Sequence, residues 1–145
     1  MTNWKYNPED YGKIKPIPPG IYRVRIEEAE ETTSKNTGKD MFKLTIKVSG
    51  YNNKIFHYLV LDDSSLETIE RTNNNLGRIY DSFNIPQGSM NLQEWIGKVG
   101  AANIKNETDQ QGTLRASIGY FIQRKRQDEL PAWQEHPNAE KNIPF

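Results

Sequence analysis

The chain has 145 residues, no cysteine, and 19 basic against 19 acidic residues, which gives a formal net charge of zero. This length is sufficient for one domain with a hydrophobic core, and the lack of thiols excludes disulfides, cysteine-rich zinc sites and cysteine nucleophiles. No apolar run approaches the roughly 18 residues that span a bilayer, and the N-terminus lacks the layout of a secretory signal, so we expect a cytosolic protein with no membrane partner.

Charge is unevenly distributed along the chain. From Asp128 onward there are four acidic residues and one lysine, a net charge of −3, which leaves +3 on residues 1–127. This asymmetry favours a nucleic acid as the partner of the body and a different partner for the C-terminal end.

Residues 1–19 form an N-terminal arm that contains Trp4 and Tyr6. The arm ends in two prolines, and together with Gly20 they mark the entrance to a first strand, because proline cannot continue a helix or a central strand. The strand itself, IYRVRIEEAEE, alternates apolar and polar residues, which is typical of a half-buried strand.

A second strand, MFKLTIKVSG, follows a turn-rich loop, TTSKNTGKD, and alternates without interruption. The residues that we expect to face the core are Phe42, Leu44, Ile46 and Val48. The third strand, KIFHYLVLDD, is apolar at both parities, so the pattern leaves open whether Phe56 and Tyr58 or the alternate residues face outward.

A helical segment follows the third strand. Ser64 with Glu67 three residues later has the pattern of a capping box, and Asn84 with Pro86 closes the segment. Apolar residues recur at helical spacing between these ends, although TNNN interrupts them, so one long helix and two short helices both remain open.

The last elements are a short helical turn around Trp95 and a hairpin that joins KVGAANIKNE to TLRASIGYFIQRK. Beyond Arg126 the periodicity stops. The order is three strands, helix, two strands, and closing five strands around a core is the economical way to protect the sheet edges. We therefore predict an all-β fold with one or two helices: an OB-type barrel over residues 20–126, followed by a flexible tail over residues 127–145.

Nothing in the pattern predicts an enzyme, a cofactor or a metal. His57 lies in a strand and His136 in the tail, with no spacing that would place them on one metal, and no glycine-rich phosphate loop is present. Acidic residues cluster in EEAEE and at Asp62 and Asp63, a residue type that two-metal nucleases use. Solvated strand ends and favourable charge before a helix N-terminus explain these acids better.

The polar faces of the strands are more informative, because they combine basic residues with aromatic rings. Basic groups that follow phosphates, beside rings on which unpaired bases stack, are what sequence-tolerant binding of single strands requires. The predicted DNA-binding residues are Arg23, Arg25, Lys35, Lys39, Lys43, Lys47, Phe56, Tyr58, Arg115 and Phe121.

Residues 17–125 resemble a known phage family in the order of several short segments. These segments are IPPGIYRVRIEEAEETTSKNTGKDMFKLTIKV, KIFHYLVL, NLGRIYDSFNIP and LQEWIGK. The family was first catalogued as a domain of unknown function and is grouped with single-stranded-DNA-binding OB proteins of phage replication and recombination modules. The resemblance implies the same fold and function here, in the cytoplasm of an infected bacterium.

The C-terminal tip, Ile143, Pro144 and Phe145, is similar to the end of bacterial single-stranded-DNA-binding proteins. There, an acidic tail with this tip docks onto replication and repair enzymes, which implies a partner-docking role for these three residues. The aspartate run that precedes the tip in those proteins is absent here, where the preceding residues are Ala-Glu-Lys-Asn.

The expected function is therefore binding and protection of single-stranded DNA, without catalysis, by a protein that recruits replication or recombination partners through its tip. We also expect a homo-oligomer, because single-strand binders commonly pair their barrels; the aromatic arm either serves that purpose or covers one end of the barrel. The alternative is an OB-like interaction module that binds a protein partner and no nucleic acid.

Overall fold

The structure is a computed structural model and describes residues 2–8 and 17–135. Its elements are β1 (Gly20–Thr33), β2 (Asp40–Val48), β3 (Lys54–Val60), α1 (Leu66–Phe83), α2 (Leu92–Trp95), β4 (Val99–Thr108), β5 (Leu114–Phe121) and a 3-10 turn at Arg124–Arg126. The predicted order of three strands, helix, two strands is confirmed, and α1 is one continuous helix of 18 residues.

The five strands form one antiparallel sheet in the order β3-β2-β1-β4-β5. The central strand, β1, has 14 residues, which lets it pair with β4 along its first half and with β2 along most of its length. The fold is therefore mostly β, as expected, with its helices between β3 and β4.

The core lies on the inner face of this sheet and is covered by α1 and α2. The four apolar residues that the alternation of β2 assigns to the core are all nearly inaccessible, at 3% exposure or less. In β3 the inward residues are Ile55 and Leu59, so Phe56 and Tyr58 face outward. Trp95 of α2 is fully buried and makes edge-on contacts with Phe42 and Tyr80.

A bulge near the end of β5 overturns one prediction. Ile104 of β4 pairs with Ile118, but its neighbour Asn103 pairs with Tyr120, so Gly119 is an extra residue on β5. A bulge reverses the parity of the residues that follow it. The prediction that Phe121 faces outward is wrong for this reason: Phe121 is 8% exposed and lies in the core.

The helix α1 begins one residue later than predicted. Ser65, not Ser64, is the N-cap: its Oγ accepts a hydrogen bond from the Thr68 amide at 3.1 Å, and the Thr68 hydroxyl accepts one from the Ser65 amide at 3.0 Å. The capping box therefore uses a threonine where we expected Glu67. The helix ends as expected at Asn84, which adopts a left-handed conformation (φ 55°).

The folded part of the chain extends past the predicted boundary at Arg126. Gln127 is 5% exposed, and its side-chain amide donates hydrogen bonds to the Ser82 and Ile122 carbonyls at 3.1 and 2.8 Å. Gln134 then exchanges hydrogen bonds with Ser49 and Gly50 at the end of β2. Residues 127–135, which we name the C-terminal strap, therefore belong to the domain, a correction of the tail that we expected to begin at 127.

Within residues 2–8 and 17–135, no helix has the length and apolar character that crossing a membrane would require.

Close contact between α1 and β4 depends on Gly100. A Cβ at this position would lie 2.9 Å from both the Ser82 carbonyl oxygen and the Phe83 ring. We expect Gly100→Ala to lower the free energy of unfolding by about 1–3 kcal/mol, the usual cost of overpacking. Urea denaturation followed by circular dichroism measures this change.

Gly77 provides the matched control for this substitution. It lies in α1 and has no atom within 4 Å of an added Cβ. Gly77→Ala should raise the free energy of unfolding by about 0.5–1 kcal/mol, because alanine restricts the unfolded chain and favours the helix. Equal effects of the two substitutions would contradict the packing argument.

Candidate nucleic-acid interface

Two aromatic side chains lie side by side on the outer face of β3. Phe56 is 52% exposed and Tyr58 is 50% exposed, and two residues of strand separate them by roughly 7 Å. In register, Lys43 of β2 lies opposite Tyr58, and its ammonium group is 4.7 Å from the centre of the Phe56 ring. This surface therefore joins two accessible rings to one cation.

Arg23 faces outward as predicted, but its guanidinium is committed to the C-terminal strap. It donates to the carbonyl oxygens of Gln127 at 3.0 Å and Pro131 at 2.7 Å, and to the side chain of Gln127 at 3.3 Å. These hydrogen bonds satisfy backbone carbonyls of the packed strap. If the Arg23 side chain turned away, those carbonyls would lose their hydrogen-bond donor. Arg23 is therefore a structural anchor.

The strap also occupies Arg25 and Lys47, which are register partners on β1 and β2. Glu135 lies 2.7 Å from Arg25 and 3.6 Å from Lys47, and Trp133 lies against the Arg25 guanidinium at 4.5 Å. Hydrogen bonds from the Trp133 indole and from Arg25 lower the pKa of the Glu135 carboxyl. The one carboxylate of Glu135 thus offsets part of the positive charge of these two predicted cations, and Glu27, 2.7 Å from Arg25, supplies a second carboxylate.

The remaining predicted cations are distributed over several places. Lys43 is 3.9 Å from Glu30, whereas Lys35 is exposed in the β1–β2 loop and has no ion pair among the residues that the structure describes. Arg115 lies near the β4–β5 turn, where its Nε donates to Asp109 at 2.8 Å. The sequence therefore identifies these basic residues, but it does not show which acidic groups they pair with.

Lys39 is held by Asp62 at the end of β3, at 3.2 Å. Hydrogen bonds from Ser64, followed by the Lys39 ammonium, lower the pKa of the Asp62 carboxyl to about 2. Asp62 therefore serves the turn into α1. Among the described residues, no group of three or more potential metal ligands comes together.

A groove that the sequence did not predict runs between α1 and the outer edges of β3 and β5. It encloses about 350 Å³. Arg71, Asn75 and Arg78 line its helix side, while Tyr58 and the half-exposed Tyr120 line its sheet side. Helical spacing places Arg71, Asn75 and Arg78 on one face of α1, and this was the signal in the sequence that could have revealed them.

His57 lies on the floor of this groove. Its ring packs edge-on against Phe121, with 5.2 Å between ring centres, and Phe121 in turn packs against Phe83. Burial lowers the pKa of His57, because the protonated imidazole loses hydration there. The expected role of His57 as a wall residue is consistent with this environment.

The predicted docking residues Ile143, Pro144 and Phe145 lie outside the described residues, as does His136. The described part of the arm leaves Trp4 81% exposed and Tyr6 70% exposed. These two rings therefore do not cover an end of the sheet, which was one of the two roles left open for them.

These features define a small β-sheet domain with an aromatic and basic outer face. A family model described as "Protein of unknown function (DUF669)" matches residues 4–121, and the chain belongs to this family. A search of the curated proteins finds no match.

The buried imidazole of His57 makes stability depend on pH. Because its folded-state pKa lies below the ordinary value of 6.5, the unfolded chain binds more protons as the pH falls through that value. We therefore expect the free energy of unfolding to decrease as the pH is lowered from about 7 to about 5, with a slope of at most ~1.4 kcal/mol per pH unit from this group.

His57→Phe is the matched variant, since it keeps an aromatic ring against Phe121 and removes the titration. Chemical denaturation at a series of pH values should give a flatter profile for the variant than for the natural protein over this range. Identical slopes would show that His57 does not control this dependence.

Proposed function

We propose that this protein binds single-stranded DNA without sequence preference and protects it during phage replication or recombination, in the cytoplasm of the infected bacterium. It does so as a binding protein, with no catalytic step. The observation that carries the proposal is the pair of outward rings, Phe56 and Tyr58, beside the Lys43 ammonium. Rings of this kind accept any base, because every base has a stacking face.

An OB-type barrel is the architecture we propose for the sheet. Three observations support it: β1 pairs with both β2 and β4, the helix α1 follows β3, and the ring of His57 on β3 packs against the ring of Phe121 on β5 with 5.2 Å between ring centres, so side chains of the two outermost strands are in contact. OB barrels bind oligonucleotides across the face that contains strands 2 and 3, where Lys43, Phe56 and Tyr58 are found here.

The cations contribute unequally to this proposed surface. Lys43 and Lys35 are the best placed, because the ion pair of Lys43 with exposed Glu30 is long and Lys35 lies on an open loop. Exposed ion pairs contribute only about 0–1 kcal/mol, so a phosphate can replace them. Arg25 and Lys47 contribute less because both are engaged by Glu135, and Arg23 remains an anchor.

Phe56→Ala and Tyr58→Ala test the proposal. Each substitution removes one stacking platform, so affinity for oligo-dT should fall by about 5-fold to 100-fold, which corresponds to the roughly 1–3 kcal/mol that stacking contributes per base. Fluorescence anisotropy with labelled oligo-dT at two salt concentrations measures the affinity, and higher salt should weaken binding because phosphate neutralisation releases counterions.

Met90→Ala is the control, because Met90 is as exposed as the two rings but lies in the loop before α2. It should bind oligo-dT like the natural protein. Absence of binding by the natural protein at low salt would overturn the proposal and favour the interaction module, whose contacts would be insensitive to salt.

A second role, partner recruitment, is proposed for the tip. Phe145 can fill an apolar pocket, and Pro144 limits the entropy lost on docking. A homo-oligomer is proposed as well, with the exposed rings of Trp4 and Tyr6 as the residues that contact a second copy.

Deletion of residues 143–145 separates the two roles. We expect the truncated chain to bind oligo-dT with unchanged affinity and to lose the capture of replication or repair proteins from a bacterial lysate. Pull-down with both chains, followed by mass spectrometry, provides the measurement. Equal capture by the full and truncated chains would remove the docking role and leave DNA binding unaffected.

A further inference from the structure

The groove between α1 and the sheet is continuous with the proposed DNA surface. Tyr58 belongs to both, because it stands on the outer face of β3 and also lines the groove. A second cavity of about 560 Å³ adjoins the first and shares Arg78 and Phe121 with it. The path from Phe56 therefore continues past Tyr58 and Arg78 toward Lys125.

The chemistry of the groove suits a polyanion with flat, polar units. Arg78 has no ion pair among the described residues, and Arg71 pairs only with exposed Glu67, at 3.2 Å. Asn75 and Tyr120 add an amide and a half-exposed ring beside these cations. Guanidinium groups recognise phosphates, and an aromatic ring accepts a base.

Acidic groups at the groove are already engaged. Asp62 is paired with Lys39 at 3.2 Å, and Asp81 accepts a hydrogen bond from the Arg124 amide at 3.2 Å. Against these two carboxylates stand Arg71, Arg78 and Lys125, so the path carries an excess of one positive charge. This small excess attracts an anionic strand only weakly, so the rings must supply much of the binding.

The edges of β3 and β5 add hydrogen-bonding capacity. Both are outermost strands of the sheet, and no backbone hydrogen bond joins them in the described part of the chain. Edge strands present amide and carbonyl groups without strand partners. A base that enters the groove therefore meets backbone donors and acceptors along with Tyr120.

We propose that the groove is a second section of the single-strand binding path: the DNA turns around the edge of β3 at Tyr58, and its next nucleotides lie between α1 and β5. In this section Arg78 contacts a phosphate and Tyr120 stacks on a base. This inference rests on the proposed function, and it assigns the binding of longer strands to residues outside the outer sheet face.

Oligo-dT of increasing length tests the proposal with the full chain. OB domains contact about 4–16 nucleotides, so affinity should rise with length until both sections are filled. Arg78→Gln and Tyr120→Leu should bind the shortest oligonucleotides as the natural protein does, and the longest about tenfold more weakly. Arg78→Gln should also lower the slope of log K against log salt by about 0.7, the contribution of one phosphate contact.

Arg126→Gln is the matched control, since Arg126 is exposed and does not line either cavity. It removes the same charge and should leave the length dependence unchanged. Thermal unfolding of each variant confirms that the fold is retained. As an independent measurement, photo-crosslinking with bromodeoxyuridine oligonucleotides should label Tyr120.

The possible failures are distinguishable. If the groove variants match the natural protein at every length, the groove proposal is wrong, while weaker binding by Phe56→Ala would still support DNA binding by the outer face. If the natural protein binds no oligonucleotide at low salt, the proposed function itself is wrong and the groove proposal falls with it.

Discussion

The bulge at Gly119 is the local feature on which the groove beside α1 depends. One extra residue in β5 turns Phe121 inward and Tyr120 outward. Phe121 then joins β3 to α1 through His57 and Phe83, which brings three separate elements together around one aromatic cluster. Glycine suits this position, because a Cβ there would lie 2.8 Å from the Asn103 side chain. Without the reversal, the Phe121 ring would face solvent and would not contact His57 and Phe83.

The C-terminal strap changes the electrostatics of the outer face. Arg23 holds the strap through backbone carbonyls, and Glu135, together with Glu27 beside Arg25, then offsets the charges of Arg25 and Lys47. On this surface, the exposed aromatic rings therefore offer more for binding than the net charge does. Stacking, which is less sensitive to neighbouring acids than phosphate contact, is the interaction that such a surface can provide.

The region that matches the DUF669 family model, residues 4–121, extends from the N-terminal arm to the end of β5. The strap and the tip lie beyond residue 121 and therefore outside the matched region. The matched region holds most of the residues proposed for DNA, whereas Lys125 and the proposed docking tip lie beyond it.

The sequence by itself determined the elements and most of the core. Alternation in β2 is unambiguous, and the turn and capping residues placed every strand and helix within a few positions, because these signals act over neighbouring residues. The sequence could not decide which residues of β3 face outward, because both alternating sets of residues in this strand are apolar. The packing of Ile55 and Leu59 against residues distant in the chain decides that Phe56 and Tyr58 face outward. The parity of Phe121, the partners of Arg23 and Arg25, and the groove were likewise decided by tertiary structure. Each depends on residues far apart in the chain meeting in space, and no local pattern records such a meeting.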